Sequence, residues 1–275
     1  MSTANSVVHG GFGRVALIEL DRSTVRHAQK EAHLLVHLGG AGGTVSVGTR
    51  ELSVDSTAAV AVNPWKEHGF RLEANGQKFR GVAIYFDKEW YQLRSESKDL
   101  AFEFGRPAIR ATKQISDATH LIAEMLLNGL KKSGFESGLF SLVQEVYQQS
   151  WRNVHGAQPL DRALARFNDN RIRQSVTLLE DNFCSCRGID WLAGAVRLSR
   201  PQFFKLFKKQ TGVSPNVYLN ALRTERAIDR LVNTEAPLRE ISSDLGFSSQ
   251  AGFSRFFASI VGVSPNAYRR AAYTI

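Results

Sequence analysis

Twenty residues of this chain are written twice. Residues 199–218 read SRPQFFKLFKKQTGVSPNVY and residues 249–268 read SQAGFSRFFASIVGVSPNAY, identical at nine of twenty positions with a constant offset of 50. The shared positions in the first copy are Ser199, Phe203, Phe207, Gly212, Val213, Ser214, Pro215, Asn216 and Tyr218. Upstream the offset is 49, so that Leu192, Val196, Leu198 and Ser199 answer to Ile241, Leu245, Phe247 and Ser248. A duplication this detailed requires two copies of one supersecondary unit.

Each copy spells a short helix (Trp191–Val196, Leu238–Leu245), a turn, and a second helix opened by a serine. Ser199 is a natural N-cap, and Gln202 three residues on completes a capping box. Phe203, Leu206, Phe207 and Gln210 fall on one face of the next helix, while Arg200, Gln202, Lys205 and Lys209 point elsewhere. Gly212 ends that helix, and Ser214-Pro215 starts another. Two helices joined by a tight turn, the second with a long polar face, make a helix-turn-helix. The helix from Pro215 to about Val232 joins the two units. Its eighteen residues span about 27 Å at 1.5 Å each, against the ~34 Å between successive major grooves on one face of B-DNA.

Charge agrees with a polyanion partner for this half. Residues 157–275 hold 17 basic and 10 acidic side chains, a net of +7, whereas residues 1–156 hold 18 and 16, a net of +2. A basic half joined to a near-neutral half predicts one module for double-stranded DNA and one with another task. The first hundred residues predict that other module to be β-rich. Strands are expected at Val15–Leu20, His33–Leu38, Thr44–Val47, Ala58–Val62 and Gly81–Phe86, with turns at Asn75-Gly76 and at Gly39–Gly43, read as a tight hairpin. From about Ser116 the period becomes helical, through Leu121, Ile122, Met125, Leu126 and Leu130, then Phe140, Leu142, Val143 and Val146. Two helices there would pack on the barrel or on a second subunit.

The expected fold class is therefore α+β. A β-barrel with following helices fills 1–152, a linker opening on Asn153–Pro159 fills 153–168, and an all-α domain with two helix-turn-helix units fills 169–275. No apolar run approaches the roughly 20 residues a membrane span needs. The first residues, MSTANSVVHGGFGR, carry no charged region followed by an apolar stretch, so export is not expected. Cys184 and Cys186 cannot form a disulfide framework, which fits a reducing cytoplasm, and they lack the further ligands of a zinc site.

Residues from about Asp169 to Tyr273 resemble the DNA-binding domain of the AraC/XylS family of bacterial transcription regulators. The signature runs through Gly246-Phe247-Ser248, Phe253-Ser254-Arg255-Phe256-Phe257, Gly262-Val263-Ser264-Pro265 and Tyr268-Arg269. The N-terminal half resembles, more weakly, the cupin-like effector domain of that family through His27, His33, the glycine turn, and Asn63-Pro64-Trp65 with His68. The resemblance implies a sequence-specific regulator, most often an activator, that senses a small molecule through the barrel and works with RNA polymerase, commonly as a homodimer. It carries base reading onto Arg200, Pro201, Gln202, Phe204 and Lys205 in the first unit, and onto Ser249, Gln250, Ala251, Ser254 and Arg255 in the second. Arg and Lys suit guanine, Gln suits adenine, and Phe204 suits a thymine methyl. Lys208 and Lys209 are expected phosphate contacts, which position without reading sequence.

Two departures from the family pattern stand out. Arg197 occupies the first turn, where the family usually has glycine. The second unit has Gly252 inside its recognition helix, and Ala258-Ser259 where the first has Lys208-Lys209.

In the barrel, His33, Leu35 and His37 alternate onto one strand face. His27, His33, His37, Trp65, His68 and Tyr85 are the candidate effector contacts. Metal-binding cupins use His-x-His followed by a glutamate; here His27, Gln29 and His33 stand at those places, so no metal or other cofactor is assigned. No Gly-x-Ser-x-Gly, His-Glu-x-x-His or dinucleotide fingerprint is present, and no enzyme is expected. Two other readings remain at this level: a metal-dependent cupin enzyme fused to a DNA-binding tail, and a DNA-binding protein whose barrel only dimerises.

Overall fold

The computed structural model describes residues 2–73, 76–95, 102–128, 132–152, 168–182 and 189–275. The 153–167 part of the expected linker, Leu130, Asn75, Cys184 and Cys186 lie outside the described residues. The fold is α+β, as expected. Strands β1 (Thr3–Gly10), β2 (Gly13–Leu20), β3 (Ala32–Gly40), β6 (Ala58–Val62), β8 (Phe79–Phe86) and β9 (Ala108–Arg110) join β10 (Ala272–Thr274) in a seven-stranded sheet, ordered β10-β1-β2-β8-β3-β6-β9. Strands β4 (Gly43–Val47), β5 (Arg50–Val54) and β7 (His68–Leu72) form a second sheet, ordered β5-β4-β7.

The five strands expected from alternation are present. Gly39–Gly43, however, is not a tight hairpin. It leads from β3 in one sheet to β4 in the other, and these strands do not pair with each other. Gly40, at φ 77°, lets the chain turn that corner while the Ala41 N–H donates to the Lys78 carbonyl at 2.9 Å. A Cβ on Gly40 would sit 2.1 Å from that same carbonyl oxygen. The two-residue hairpin lies instead at Gly48-Thr49, between the paired Val47 and Arg50, with Gly48 at φ 60°.

The large sheet buries both faces. Val8, Val15, Leu17, Leu34, Val36, Val82, Ile84 and Phe86 pack on helices α2 (Lys113–Asn128) and α3 (Lys132–Trp151), which follow the short α1 (Lys88–Ser95). Ile122, Leu126, Leu142, Val143 and Val146 supply the helical side of that core; Leu121, although in the expected stripe, is 49% exposed. On the opposite face Leu35, Val60, Val62 and Ala83 meet Val45, Val47, Val54 and Phe70 of the small sheet.

The C-terminal part has helices α4 (Asn170–Asn182), α5 (Ile189–Ala195), α6 (Arg200–Thr211), α7 (Pro215–Asn233), α8 (Leu238–Asp244), α9 (Gln250–Val261) and α10 (Pro265–Ala271). The two copies do not share one core. Phe203, Phe207 and Tyr218 of the first unit pack with α4, α5 and Ala28. Phe253, Phe257 and Tyr268 of the second unit join the barrel interior in one continuous apolar cluster. The expected modules are therefore packed against each other, and β10, after the last helix, pairs in parallel with β1.

Candidate nucleic-acid interface and interdomain cavity

Both helix-turn-helix units form as the repeat requires. In the second, the Gly246 N–H donates to the Ser243 carbonyl and the Phe247 N–H to the Ser242 carbonyl, both at 2.9 Å, with Gly246 at φ 76°. The first repeats this bond for bond: Arg197 donates to Gly194 and Leu198 to Ala193, both at 3.0 Å, with Arg197 at φ 55°. Arginine thus adopts the left-handed conformation that glycine takes in the other copy. Arg197→Gly is expected to stabilise the protein by about 0.5–1 kcal/mol, the left-handed penalty partly offset by the greater entropy of glycine in the unfolded chain. Urea denaturation of the two proteins checks this, and a lower midpoint for the variant would refute it.

Recognition helix α6 presents Arg200, Pro201, Gln202, Lys205, Lys208 and Lys209 exposed, with Phe204 half-buried. Its polar start is internally tied. The Gln202 side-chain oxygen accepts from the Ser199 N–H at 3.2 Å and from the Ser199 hydroxyl at 2.9 Å. Arg200 is 3.2 Å from Asp190, and its guanidinium lies 5.4 Å from the Phe204 ring centroid. Reading adenine with Gln202 would cost part of this cap. Recognition helix α9 leaves Ser249, Gln250, Ala251 and Arg255 exposed and Ser254 half-buried; the Ser249 hydroxyl accepts from the Gly252 N–H at 3.1 Å.

The difference at the far ends of these helices has a packing cause. Lys208 and Lys209 face solvent, whereas Ala258 and Ser259 are half-buried. The Ser259 carbonyl accepts from the Val25 N–H at 2.8 Å, and a Cβ on Gly262 would meet Leu20 at 2.8 Å. Lysines there would be pressed onto the barrel. The second unit carries fewer cations because that end is a docking surface.

The repeat-equivalent tyrosines are both held by the barrel domain. The Trp65 ring stacks on Tyr218 at 4.3 Å and 7° between planes, with Trp65 itself at φ 58° and its N–H donating to the Gln29 carbonyl at 2.8 Å. His9 Nε2 lies 3.1 Å from the Tyr268 hydroxyl. Burial, with Arg14 nearby, lowers the His9 imidazole to about 4.

Of the six expected effector residues, His27 and Tyr85 line a cavity of about 40 Å³ between the domains, with Arg14, Gln29 and the apolar Ala4, Val7, Ala16 and Ile18. Its other wall is Ala221, Thr224, Glu225 and Ile228 of α7, with Ile260, Val261, Val263 and Tyr268. His33 and His68 are buried instead among rings. His33 stacks on Tyr85 at 4.4 Å, and His68 lies 4.4 Å from His27 and 5.3 Å from His33, centroid to centroid. Burial lowers all three imidazoles, His68 to about 3. His37 is half-buried 5.5 Å from Phe79, and Trp65 borders clefts outside this cavity. Among the described residues, no three His, Cys, Asp or Glu are placed to hold a metal ion.

A charged group that sequence reasoning missed closes the cavity. Arg14, 9% exposed, is 3.1 Å from Glu31 and lies 4.0 Å over the Tyr85 ring. The Glu225 carboxylate, from α7, accepts from the Lys30 N–H at 3.3 Å. Burial, with Glu31 close by, raises the Glu225 carboxyl to about 7. In the sequence Glu225 looks like any solvated helix residue; only the packing of the barrel on α7 marks it.

A β-rich half packed on two helix-turn-helix units has the architecture of a DNA-binding transcription regulator. Residues 192–271 match the family described as "Helix-turn-helix domain". The chain is 26% identical to the probable transcriptional regulator LumQ of Photobacterium leiognathi, over 91% of this chain and 94% of that one. It is 28% identical to the HTH-type transcriptional regulator MtrA of Neisseria gonorrhoeae, over 49% of this chain and 43% of MtrA, so it spans less than half of that relative. Among solved structures, ToxT from Vibrio cholerae O395 superposes with a TM-score of 0.59 at 12% identity, covering 94% of this chain and 96% of that one; it shows a common fold. Residues 192–271 thus carry the helix-turn-helix domain that these transcriptional regulators share. No helix among the described residues is long and apolar enough to cross a membrane.

Proposed function

We propose that this protein is a sequence-specific regulator, an activator working with RNA polymerase in the cytoplasm, whose grip on DNA is set by a small molecule bound between its domains. The observation that carries the reading is the void between the domains, where the 40 Å³ cavity shares Arg14, Glu225 and Ile228 with a cleft of about 400 Å³: an occupant would touch β1 and β2 on one side and α7 on the other. Ligand binding there would change how firmly the barrel holds both units, and thereby their freedom to enter adjacent grooves. A structure of ToxT from Vibrio cholerae strain SCE256 is described as bound to an unsaturated fatty acid, which supports effector binding in this architecture. Exposed Leu121 and Leu127 on α2 offer the apolar contact for a homodimer. No catalytic role is assigned.

Base and phosphate roles are expected to separate. Arg255→Ala should relax preference at one base position and cost about 1–3 kcal/mol, while Lys208→Ala should weaken all sites about equally. Binding-site selection with both variants of the full chain tests the assignment, and equal, uniform losses would undo it. A compound that raises the melting temperature without changing DNA affinity would remove the effector part of the reading.

A further inference from the structure

Helix α7 ends at Asn233 and α8 begins at Leu238, so residues 234–237 are all the chain that joins the connecting helix to the second unit. Two arginines span this joint. Arg230, in the last turn of α7, donates from Nη2 to Glu240 Oε1 at 2.6 Å, and its Nη1 lies 3.0 Å from Asp244 Oδ2. Glu240 and Asp244 stand four residues apart on α8, one turn along the same face. Arg269, on α10, donates to the Leu231 carbonyl at 3.4 Å and to the Ala236 carbonyl at 2.7 Å, so it ties the end of α7 to the connection.

Arg230 differs from an ordinary surface ion pair. Its side chain is 22% exposed, and its Nε is buried without a hydrogen-bond partner, a cost that the two carboxylates offset. A planar fork bridging two carboxylates one turn apart fixes how α8 is rotated and tilted against α7, where a single exposed pair would leave both free. The repeat shows that the helix-turn-helix itself does not need this clamp. The positions answering Glu240, Asp244 and Arg269 in the first copy are Trp191, Ala195 and Leu219, and that unit makes the same turn without them. What the second copy gains is a fixed attitude to α7.

That attitude bears on how DNA is read. The length of α7 sets how far apart the two recognition helices stand, but the joint at its end sets the direction of α9. Each base pair added between half-sites carries the second one about 3.4 Å along the duplex and about 35° around it. A loose joint would follow such changes, and a clamped one accepts one spacing. We propose that Arg230 sets the spacing between half-sites, as a positioning residue that acts on specificity through Glu240 and Asp244 without touching a base. The proposal rests on reading both units as DNA-binding and adds the geometry of the site they read.

The test uses the full chain and duplexes carrying both half-sites from binding-site selection, re-spaced by one or two base pairs in either direction. The wild-type chain is expected to bind one spacing about tenfold more tightly than its neighbours, because a unit out of register loses its base contacts. Arg230→Ala should reduce that preference to about twofold and leave affinity for a duplex with the first half-site alone unchanged. Arg230→Lys, which reaches one carboxylate but not both, should fall between the two. If circular dichroism shows Arg230→Ala unfolded, Glu240→Gln combined with Asp244→Asn removes the same clamp at exposed positions and should give the same result. An unchanged spacing preference in these variants, a uniform loss on every duplex, or a wild-type chain indifferent to spacing overturns the proposal. A wild-type chain that selects no half-sites at all removes the reading of the units as DNA-binding, and the proposal with it.

Discussion

Replacing Arg14 by alanine is expected to destabilise the folded chain by about 3–5 kcal/mol, the cost of leaving buried carboxylates without their cation. Arg14 is 9% exposed, pairs with Glu31 at 3.1 Å, and lies in the same void as Glu225. The loss should depend on pH. Glu225 titrates near 7 in the folded chain against 4.5 ordinarily, so at pH 5 it is neutral and Arg14 has less to compensate. The deficit of the variant is therefore expected to be smaller at pH 5 than at pH 8, measured by urea denaturation. A deficit independent of pH would mean that Arg14 acts by packing alone.

The same groups set the pH dependence of the intact protein. A carboxyl raised above its ordinary value stabilises fully below 4.5, and that contribution is lost as pH rises through 7. The histidines act in the opposite sense. Burial lowers His9 to about 4 and His68 to about 3, so the stability of their neutral packing is lost as pH falls from 6.5 toward those values. Domain docking is expected to be firmest near pH 6.5 and to loosen on both sides. Hydrogen exchange of the β1 amides at pH 5, 6.5 and 8 reports it directly.

The second large effect separates the repeated phenylalanines. Phe207→Ala and Phe257→Ala each empty a fully buried ring site, at about 3–5 kcal/mol apiece. Their reach should differ. Phe207 packs with Phe203 and Tyr218 in the core of the first unit, whereas Phe257 belongs to the cluster that continues into the barrel through Leu20, Val7 and Phe79. Phe257→Ala is expected to increase exchange in β1 and β2 as well as in α9, while Phe207→Ala leaves those strands protected. Equal protection of β1 in both variants would show that the two domains are cored independently.

What could be read from the sequence was whatever is decided locally. The Phe203–Phe207 stripe, the serine caps and the turn at Gly246 each depend on neighbours within a few residues, and they appear as the repeat dictates. Gly39–Gly43 was misread because a glycine turn fixes a change of direction, not the partner of the strand that follows. Whether β4 returns along β3 or crosses to β7 depends on pairing with residues 68–72, far along the chain. Strand β1 went unread because its alternation is short and polar at both ends. The recognition positions come from the family pattern alone, whereas the tie between Gln202 and Ser199 was already announced by the capping-box spacing. Arg14, Glu31 and Glu225 were illegible. Nothing near any of them in sequence announces that 195 residues away a carboxylate will close over Lys30.

The grip on the two equivalent tyrosines bears on how such a duplicated module can change over generations. Tyr218 lies flat under an indole, while Tyr268 meets an imidazole through its hydroxyl. Each copy has been fitted to a different patch of the same neighbour. The two copies are thus no longer interchangeable parts, although nine of twenty residues still agree. A gene conversion writing the second copy over the first would remove Lys208 and Lys209 from a solvent-facing end, and the reverse event would place two lysines at the half-buried positions of Ala258 and Ser259. Making the two copies alike again would therefore disturb the packing on the barrel at one copy or the other.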